Sequence, residues 1–396
     1  MKKNKILITC AKGITSYLSD EIEKLGLPVI SETLASIGTE GTFEDAMRLN
    51  LMLRTGLRVL YLIKEFKADD GDELYREVAK LDWEDIIDED GYISVSSSVD
   101  NPTIRDSRFP NVRCKDAIVD RLTERCGRRP DSGPLQDRTV INLYWKDDNC
   151  AIYIDTSGEP LSRRGYRKIP MQAPMQETLA AAVIMAAGWD GDTNFINPMC
   201  GSGTLAIEAA MAALNMPAGM LRSNYGFMHV KLFDKNTWQN ILAEAGSKIL
   251  KIMNSRIIAT DLRRDAIDAA KKNAELAGVR QFIEFRVCPF EQTAVPEGSG
   301  IVILNPEYGE RMGRTQELES VYHNIGDFFK QKCSGYKGYI FTGNMELTKK
   351  VGLRSKRKIP FYNSAIECRL LEYELYQGSK KSKYTDKKSQ CLPGSQ

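Results

Sequence analysis

The chain has 396 residues, and 55 Lys and Arg against 53 Asp and Glu leave a net charge of +2, which by itself assigns no partner. Two or three domains are expected at this length, a hydrophobic share of 42% supplies their cores, and no window is apolar enough for a membrane span. Two histidines, His229 and His323, argue against a Ser-His-Asp triad or a His-rich metal site, so no metal is expected. Nine scattered cysteines with no Cys-x-x-Cys argue against a zinc ribbon or disulfide framework and for a reducing cytoplasm. The basic start Met1–Ile6 runs straight into a strand, so no leader segment is expected.

Taken in order, Lys5–Cys10 reads as a strand, followed by a helix over Gly13–Gly26 with Ile14, Leu18, Ile22 and Leu25 on one face. A second helix over Phe43–Leu53 and an apolar strand over Leu57–Phe66 complete a small α+β unit, residues 1–65. Past the turn Asp69-Asp70-Gly71-Asp72, a helix is expected over Glu73–Leu81, a strand over Tyr92–Val99 and a helix over Cys114–Cys126. Two strands, Arg138–Trp145 and Cys150–Asp155, are joined by Lys146-Asp147-Asp148-Asn149 and close a second unit at residues 66–155. Its basic residues gather at Arg105, Arg108, Arg113, Lys115, Arg121, Arg125, Arg128 and Arg129. On charge alone these read equally as a phosphate-binding face or a solvated helix.

Residues 156–175 read as a linker carrying Arg163, Arg164, Arg167 and Lys168, candidates for backbone phosphate or simply hydrated. An almost wholly apolar helix follows over Gln176–Ala187, capped by Gly188. Then comes Asn194-Phe-Ile-Asn-Pro-Met-Cys-Gly-Ser-Gly-Thr204: a buried strand, a turn holding Gly201 and Gly203, and a helix over Thr204–Leu214. A strand that stops at a glycine turn and restarts as a helix points backbone N–H groups at a nucleotide-like ligand, and side chains at either glycine would obstruct it. The next strand-ending acid is Asp261, beyond an insertion over residues 215–254 and well past the roughly 20-residue spacing of a dinucleotide site. That spacing disfavours NAD. Asp261 suits a pair of ribose hydroxyls, or equally a cap for the helix starting near Arg263. A helix over Ala266–Gly278 and strands over Phe282–Val287 and Ile301–Leu304 follow, the last ending in Asn305-Pro-Glu-Tyr-Gly-Glu-Arg311. A helix over Leu318–Cys333 and strands over Tyr339–Thr342 and Glu367–Tyr376 follow, and between those two strands a basic cluster including Lys356 and Arg357 precedes Phe361 and Tyr362. It reads as an RNA groove or a solvated loop. The polar, Lys-rich stretch 379–396 is expected to be disordered.

Together, the glycine-turn motif, Asp261 and Asn305-Pro-x-Tyr308 resemble class I S-adenosylmethionine-dependent methyltransferases that act on exocyclic amines of nucleobases. Arg113–Arg121 followed by the hairpin resembles a THUMP domain, an RNA-binding module, and Arg163-Arg-Gly-Tyr-Arg167 before the apolar helix resembles the rRNA guanine-N2 methyltransferase family. The resemblance implies an α/β fold: a Rossmann-like class I methyltransferase domain at 176–378, preceded by a ferredoxin-like domain and a THUMP domain. It implies S-adenosylmethionine as cofactor and guanine N2 in 23S rRNA as target, in the cytoplasm. Asn305 and Pro306 would accept the two amine hydrogens and Tyr308 would stack on the extruded base, while Asn197, Cys200, Gly201, Ser202, Gly203, Asp261, Leu262, Cys288, Phe290 and Asn305 would surround the cofactor. RNA would meet Arg105, Arg108, Lys115, Arg121, Arg125, Arg128, Arg129, Arg164, Arg167, Lys356 and Arg357. Two positions depart from the family: Cys288 stands where an acid usually holds adenine, leaving Phe290 as its stacking face, and Glu307 stands where a second proline is usual. The other readings are an N6-adenine DNA methyltransferase and a non-catalytic RNA-binding protein with a decayed core. The modified nucleotide and the oligomeric state are not legible in the sequence.

Overall fold

The computed structural model describes residues 2–89, 91–102, 104, 106, 108–169, 175–307 and 315–376. Arg105, Tyr308 and the stretch 379–396, all named above, lie outside the described residues. No helix among the described residues is long and apolar enough to cross a membrane.

Strand Gly56–Lys67 organises the N-terminal half. It pairs antiparallel with Asn4–Cys10 on one side and with Asn149–Asp155 on the other, so both N-terminal units share one eight-stranded sheet. Alternation fixes the register: Ile6, Ile8 and Cys10 turn inward along the first strand while the residues between them face out. Two departures from the sequence reading have a clear physical cause. Ser36–Gly41 is a strand despite its glycines and small polar residues, because pairing to Asn4–Cys10 overrides weak propensity. The helix Arg108–Cys126 starts six residues before Cys114, since Pro110 sits in the first turn, where no intrahelical N–H is needed.

The C-terminal sheet runs Ile283–Val287, Ile257–Asp261, Asn194–Pro198, Gly300–Leu304, Tyr336–Thr342, Ile366–Glu374, Arg357–Asn363. The first five strands are parallel, and the last two are antiparallel. Helices cover both faces, which explains why the parallel strands read as continuous apolar runs. Strand order reverses between Asn194–Pro198 and Gly300–Leu304, and such a reversal opens a crevice at the carboxyl ends. The insertion carries a helix, Lys235–Ser247, capped by Asp234, which accepts from the Thr237 N–H at 2.7 Å. The basic cluster expected in a loop is partly an edge strand, where charge protects against stray pairing. There Lys356 pairs with Glu374 and Arg357 with Glu372, while Phe361 is buried against Tyr17.

Arg164 and Arg167 of the linker are not free to meet RNA. Arg164 is 1% exposed. Its guanidinium donates to the carbonyls of Leu161 at 2.9 Å and of Arg54, and faces the buried Glu208 carboxylate at 3.6 Å. Glu208 also accepts from the Tyr166 hydroxyl at 3.0 Å. Arg167 pairs with Glu177 at 3.3 Å and donates to the Met175 carbonyl and to Thr204. Both arginines answer carboxylates buried on the two apolar helices, Glu177–Ala186 and Thr204–Ala213, and a charge left unpaired there would be costly. They latch the linker onto the C-terminal domain.

Candidate active site

The glycine turn follows strand Asn194–Pro198, with Met199, Gly201 and Gly203 at φ of 56°, 53° and 83°. Helix Thr204–Ala213 then starts, its first N–H groups facing the crevice end of the sheet. The two glycines serve different ends. A Cβ on Gly203 would lie 2.9 Å from the Ala270 Cβ of helix Arg264–Leu276, so this glycine lets two helices close rather than admitting a ligand. A Cβ on Gly201 would meet nothing within 4 Å, so open space lies beside that backbone.

Asp261 ends the neighbouring strand, and its Oδ2 accepts from the Gly201 N–H at 2.9 Å and its Oδ1 from the Arg263 N–H at 3.0 Å. It therefore holds the turn, and the cap position of the following helix belongs to Arg263 instead. Each carboxylate oxygen keeps capacity for another donor, as adjacent hydroxyls would need. Leu262, next in sequence, is 70% exposed and offers an apolar face. Burial pushes the Cys200 thiol well up, and the Asp261 carboxylate adds to this, so Cys200 stays protonated and lines the turn. The Cys288 N–H donates to the Asp261 carbonyl at 3.1 Å.

Three expected contacts take other roles. Phe290 is 8% exposed and packs edge-on against Phe328 at 5.9 Å, so its ring belongs to the core, and Leu262 is the exposed apolar surface. Ser202 is buried, and its carbonyl accepts from the Asn273 side chain at 3.2 Å. Asn273 was overlooked, although a polar residue on the buried alanine face of its helix is the signal that marks it. Asn197 is fully buried: the ladder to Gly300–Leu304 ends at Ile196 and Val302, and the Asn197 amide supplies the next bond, to the Ile303 carbonyl at 3.0 Å. It clamps the two strands at the reversal point.

Two residues beyond that clamp, the Asn305 side-chain oxygen is buried with no hydrogen-bond partner among the described residues. Pro306 is buried and Glu307 exposed. Glu307 lies near enough to Arg263 to help Asp265 hold that guanidinium above its ordinary value. An acceptor buried without a donor costs free energy until something donates to it.

The basic face of the N-terminal half is smaller than its arginine count. Arg121 has a side chain 12% exposed, held by Asp82 at 2.7 Å and Glu84 at 2.6 Å, so it is structural. Arg113 pairs with Asp72, Lys115 with Asp116 at 2.8 Å, Arg108 with Asp106 at 3.1 Å, and Arg125 approaches Glu84 at 3.9 Å. Arg128 and Arg129 are exposed and make no ion pair among the described residues.

Comparison with known families settles the class. Residues 164–372 match the RMKL-like methyltransferase domain, residues 5–60 the RlmL ferredoxin-like domain and residues 68–155 the THUMP domain. The chain belongs to the RMKL-like methyltransferase family. The ribosomal RNA large subunit methyltransferase K/L of Syntrophotalea carbinolica is 38% identical over 385 residues, covering 94% of this chain and 53% of that protein. A Synechocystis protein named provisionally as an RNA methyltransferase is 33% identical and is covered over 96% of its length. The chain thus spans about half the length of its K/L relatives and nearly all of the Synechocystis one. Among solved structures, SMU.472, a methyltransferase candidate complexed with SAH, superposes with a TM-score of 0.85 at 27% identity, over 96% of this chain and 100% of that one. For a Listeria monocytogenes protein described as a predicted N6-adenine-specific DNA methylase, the TM-score is 0.84 at 29% identity, over 96% and 97%. The glycine turn, Asp261 and Asn305 all lie within residues 164–372, the span that matches the methyltransferase domain.

Proposed function

We propose that this chain transfers a methyl group from S-adenosylmethionine to an exocyclic amine of a nucleobase in RNA, guanine N2 of 23S rRNA. The observation that carries the reading is the buried Asn305 oxygen, unpartnered among the described residues, at the carboxyl end of strand Gly300–Leu304. An extruded base supplies the missing donor. One amine hydrogen goes to Asn305 Oδ1 and the other to the Pro306 carbonyl, which withdraws the nitrogen lone pair from the ring and aims it. When bound, S-adenosylmethionine supplies an activated methyl sulfonium. Gly201 leaves room for it, Asp261 offers acceptors to its ribose, and Leu262 offers an apolar face to its adenine. The amine would form the new N–C bond as the methyl–sulfur bond breaks, its electron pair leaving with S-adenosylhomocysteine, and the amine's extra proton would pass to water. Orientation carries most of the rate, so no strong base is needed.

Support for RNA comes from the THUMP match over 68–155 and from relatives named for large-subunit rRNA. The cytoplasm, where ribosomal RNA is met, is the compartment this substrate implies. The test is single-turnover methyl transfer to unmodified rRNA. Asn305→Ala should lose about 10²-fold or more in rate, the scale for removing one positioned polar group, with affinity for S-adenosylhomocysteine unchanged. Glu307→Pro should stay active, because it leaves both acceptors in place. An Asn305→Ala enzyme as fast as wild type would end this reading. An inert wild type beside an active Glu307→Pro would mean that the native chain binds RNA without methylating it.

A further inference from the structure

The THUMP segment holds a pocket of about 240 Å³ between the first turns of helix Arg108–Cys126 and the strands Tyr92–Asp100 and Asp131–Ser132. Ile93, Val95 and Val112 give it apolar walls, and Asn111, Lys115 and Ser132 supply polar groups. The side-chain oxygen of Asn111, one of the lining residues, is buried with no hydrogen-bond partner among the described residues. Two other polar groups of this helix are held within the protein, Arg113 by Asp72 and Arg121 by Asp82 and Glu84. One buried acceptor stands out as left for a ligand.

Size and surroundings narrow the ligand. The pocket is smaller than the roughly 300–1,000 Å³ filled by drug-sized molecules, and suits one flat ring system. Apolar walls with a single amide acceptor fit a nucleobase that presents an N–H edge. Phosphate partners are at hand: Lys115 lines the pocket, and the exposed Arg128 and Arg129 precede by a few residues the strand that contributes Ser132. Exposed apolar side chains, Val112 in the wall and Phe109 one turn earlier, offer surface to a neighbouring base.

We propose that this pocket takes one unstacked nucleobase of the substrate RNA, with Asn111 Oδ1 accepting from the base edge and the adjacent basic residues holding the flanking phosphates. The inference rests on the RNA reading above and deepens it. It gives this domain a base-sized anchor at a second place, besides electrostatic attachment, so that the RNA is fixed in register before a base reaches Asn305.

The full chain should be titrated with single-stranded pentaribonucleotides and with matching strands made abasic at the central position. Wild type should prefer the intact strands by about tenfold, within the range for one base seated on apolar or aromatic surface. Asn111→Leu and Val112→Trp, the latter filling the mouth from an exposed position, should erase that preference and lower rRNA affinity by about tenfold. Thermal unfolding and S-adenosylhomocysteine binding should not change in either variant. Equal binding of intact and abasic strands by wild type, or variants that bind like wild type, would overturn the pocket while leaving the RNA reading intact. Failure of wild type to bind any RNA at low salt would instead overturn the RNA reading itself.

Discussion

Replacing Asp261 by alanine separates what this carboxylate does for the fold from what it does for a ligand. Its two oxygens accept from the Gly201 and Arg263 N–H groups at 2.9 and 3.0 Å. Both donors sit at the crevice mouth, where water can replace the carboxylate, so the structural cost should stay near 1 kcal/mol. The ribose loses more. A hydrogen bond to a charged acceptor is worth about 1.5–3 kcal/mol, or roughly a 12- to 140-fold loss of affinity at 1.4 kcal/mol per decade. Asp261→Asn should fall between, because it keeps one acceptor and presents a competing donor. The assay is calorimetric titration with S-adenosylhomocysteine alongside thermal unfolding of each variant. Equal affinity of Asp261→Ala and wild type would remove Asp261 from the ligand site. A large drop in stability with unchanged affinity would make it a purely structural residue.

The two glycines of the turn should also part company. Gly203→Val meets Ala270 at 2.9 Å from a φ of 83°, so thermal unfolding should show a loss of about 2–4 kcal/mol. Gly201→Ala clashes with nothing, and should cost about 1 kcal/mol of backbone strain but lose most affinity for S-adenosylhomocysteine. Arg164→Met removes a fully buried guanidinium from Glu208, and chemical denaturation should register a loss of about 3–5 kcal/mol. Arg128→Ala with Arg129→Ala should instead leave stability alone, weaken rRNA binding and flatten its salt dependence by roughly two phosphate contacts. Because burial and Asp261 hold the Cys200 thiol well above its ordinary value, it carries no thiolate at neutral or mildly alkaline pH. Its alkylation, followed by peptide mass mapping, should stay slow up to pH 9, and fast modification at pH 8 would contradict the burial.

The sequence was most legible where one physical demand dictates one residue type. A strand–glycine-turn–helix and two strand-ending motifs point to adjacent strands of one parallel sheet, and Asn194–Pro198, Ile257–Asp261 and Gly300–Leu304 take those places. Strand propensity failed at Ser36–Gly41, where the partner strand decides. Side-chain roles failed where a residue's chemistry suits two jobs. Arg164, Arg167 and Arg121 read as phosphate ligands because nothing in one dimension reveals the carboxylates facing them. Phe290 read as a stacking face for the same reason, since burial against Phe328 is a fact of packing. Asn197 was placed at the site for its position in the motif, whereas only the end of the ladder at Ile196 and Val302 shows that its amide completes the sheet.

On the function proposed above, Asn305 presents a guanine amine of large-subunit rRNA for methylation. Unmodified large-subunit rRNA incubated with the full chain and methyl-labelled S-adenosylmethionine, then digested to nucleosides and resolved by mass spectrometry, tests it most directly. Label is expected in N2-methylguanosine and should be abolished by Asn305→Ala. Label in N6-methyladenosine, or label that survives Asn305→Ala, would contradict it.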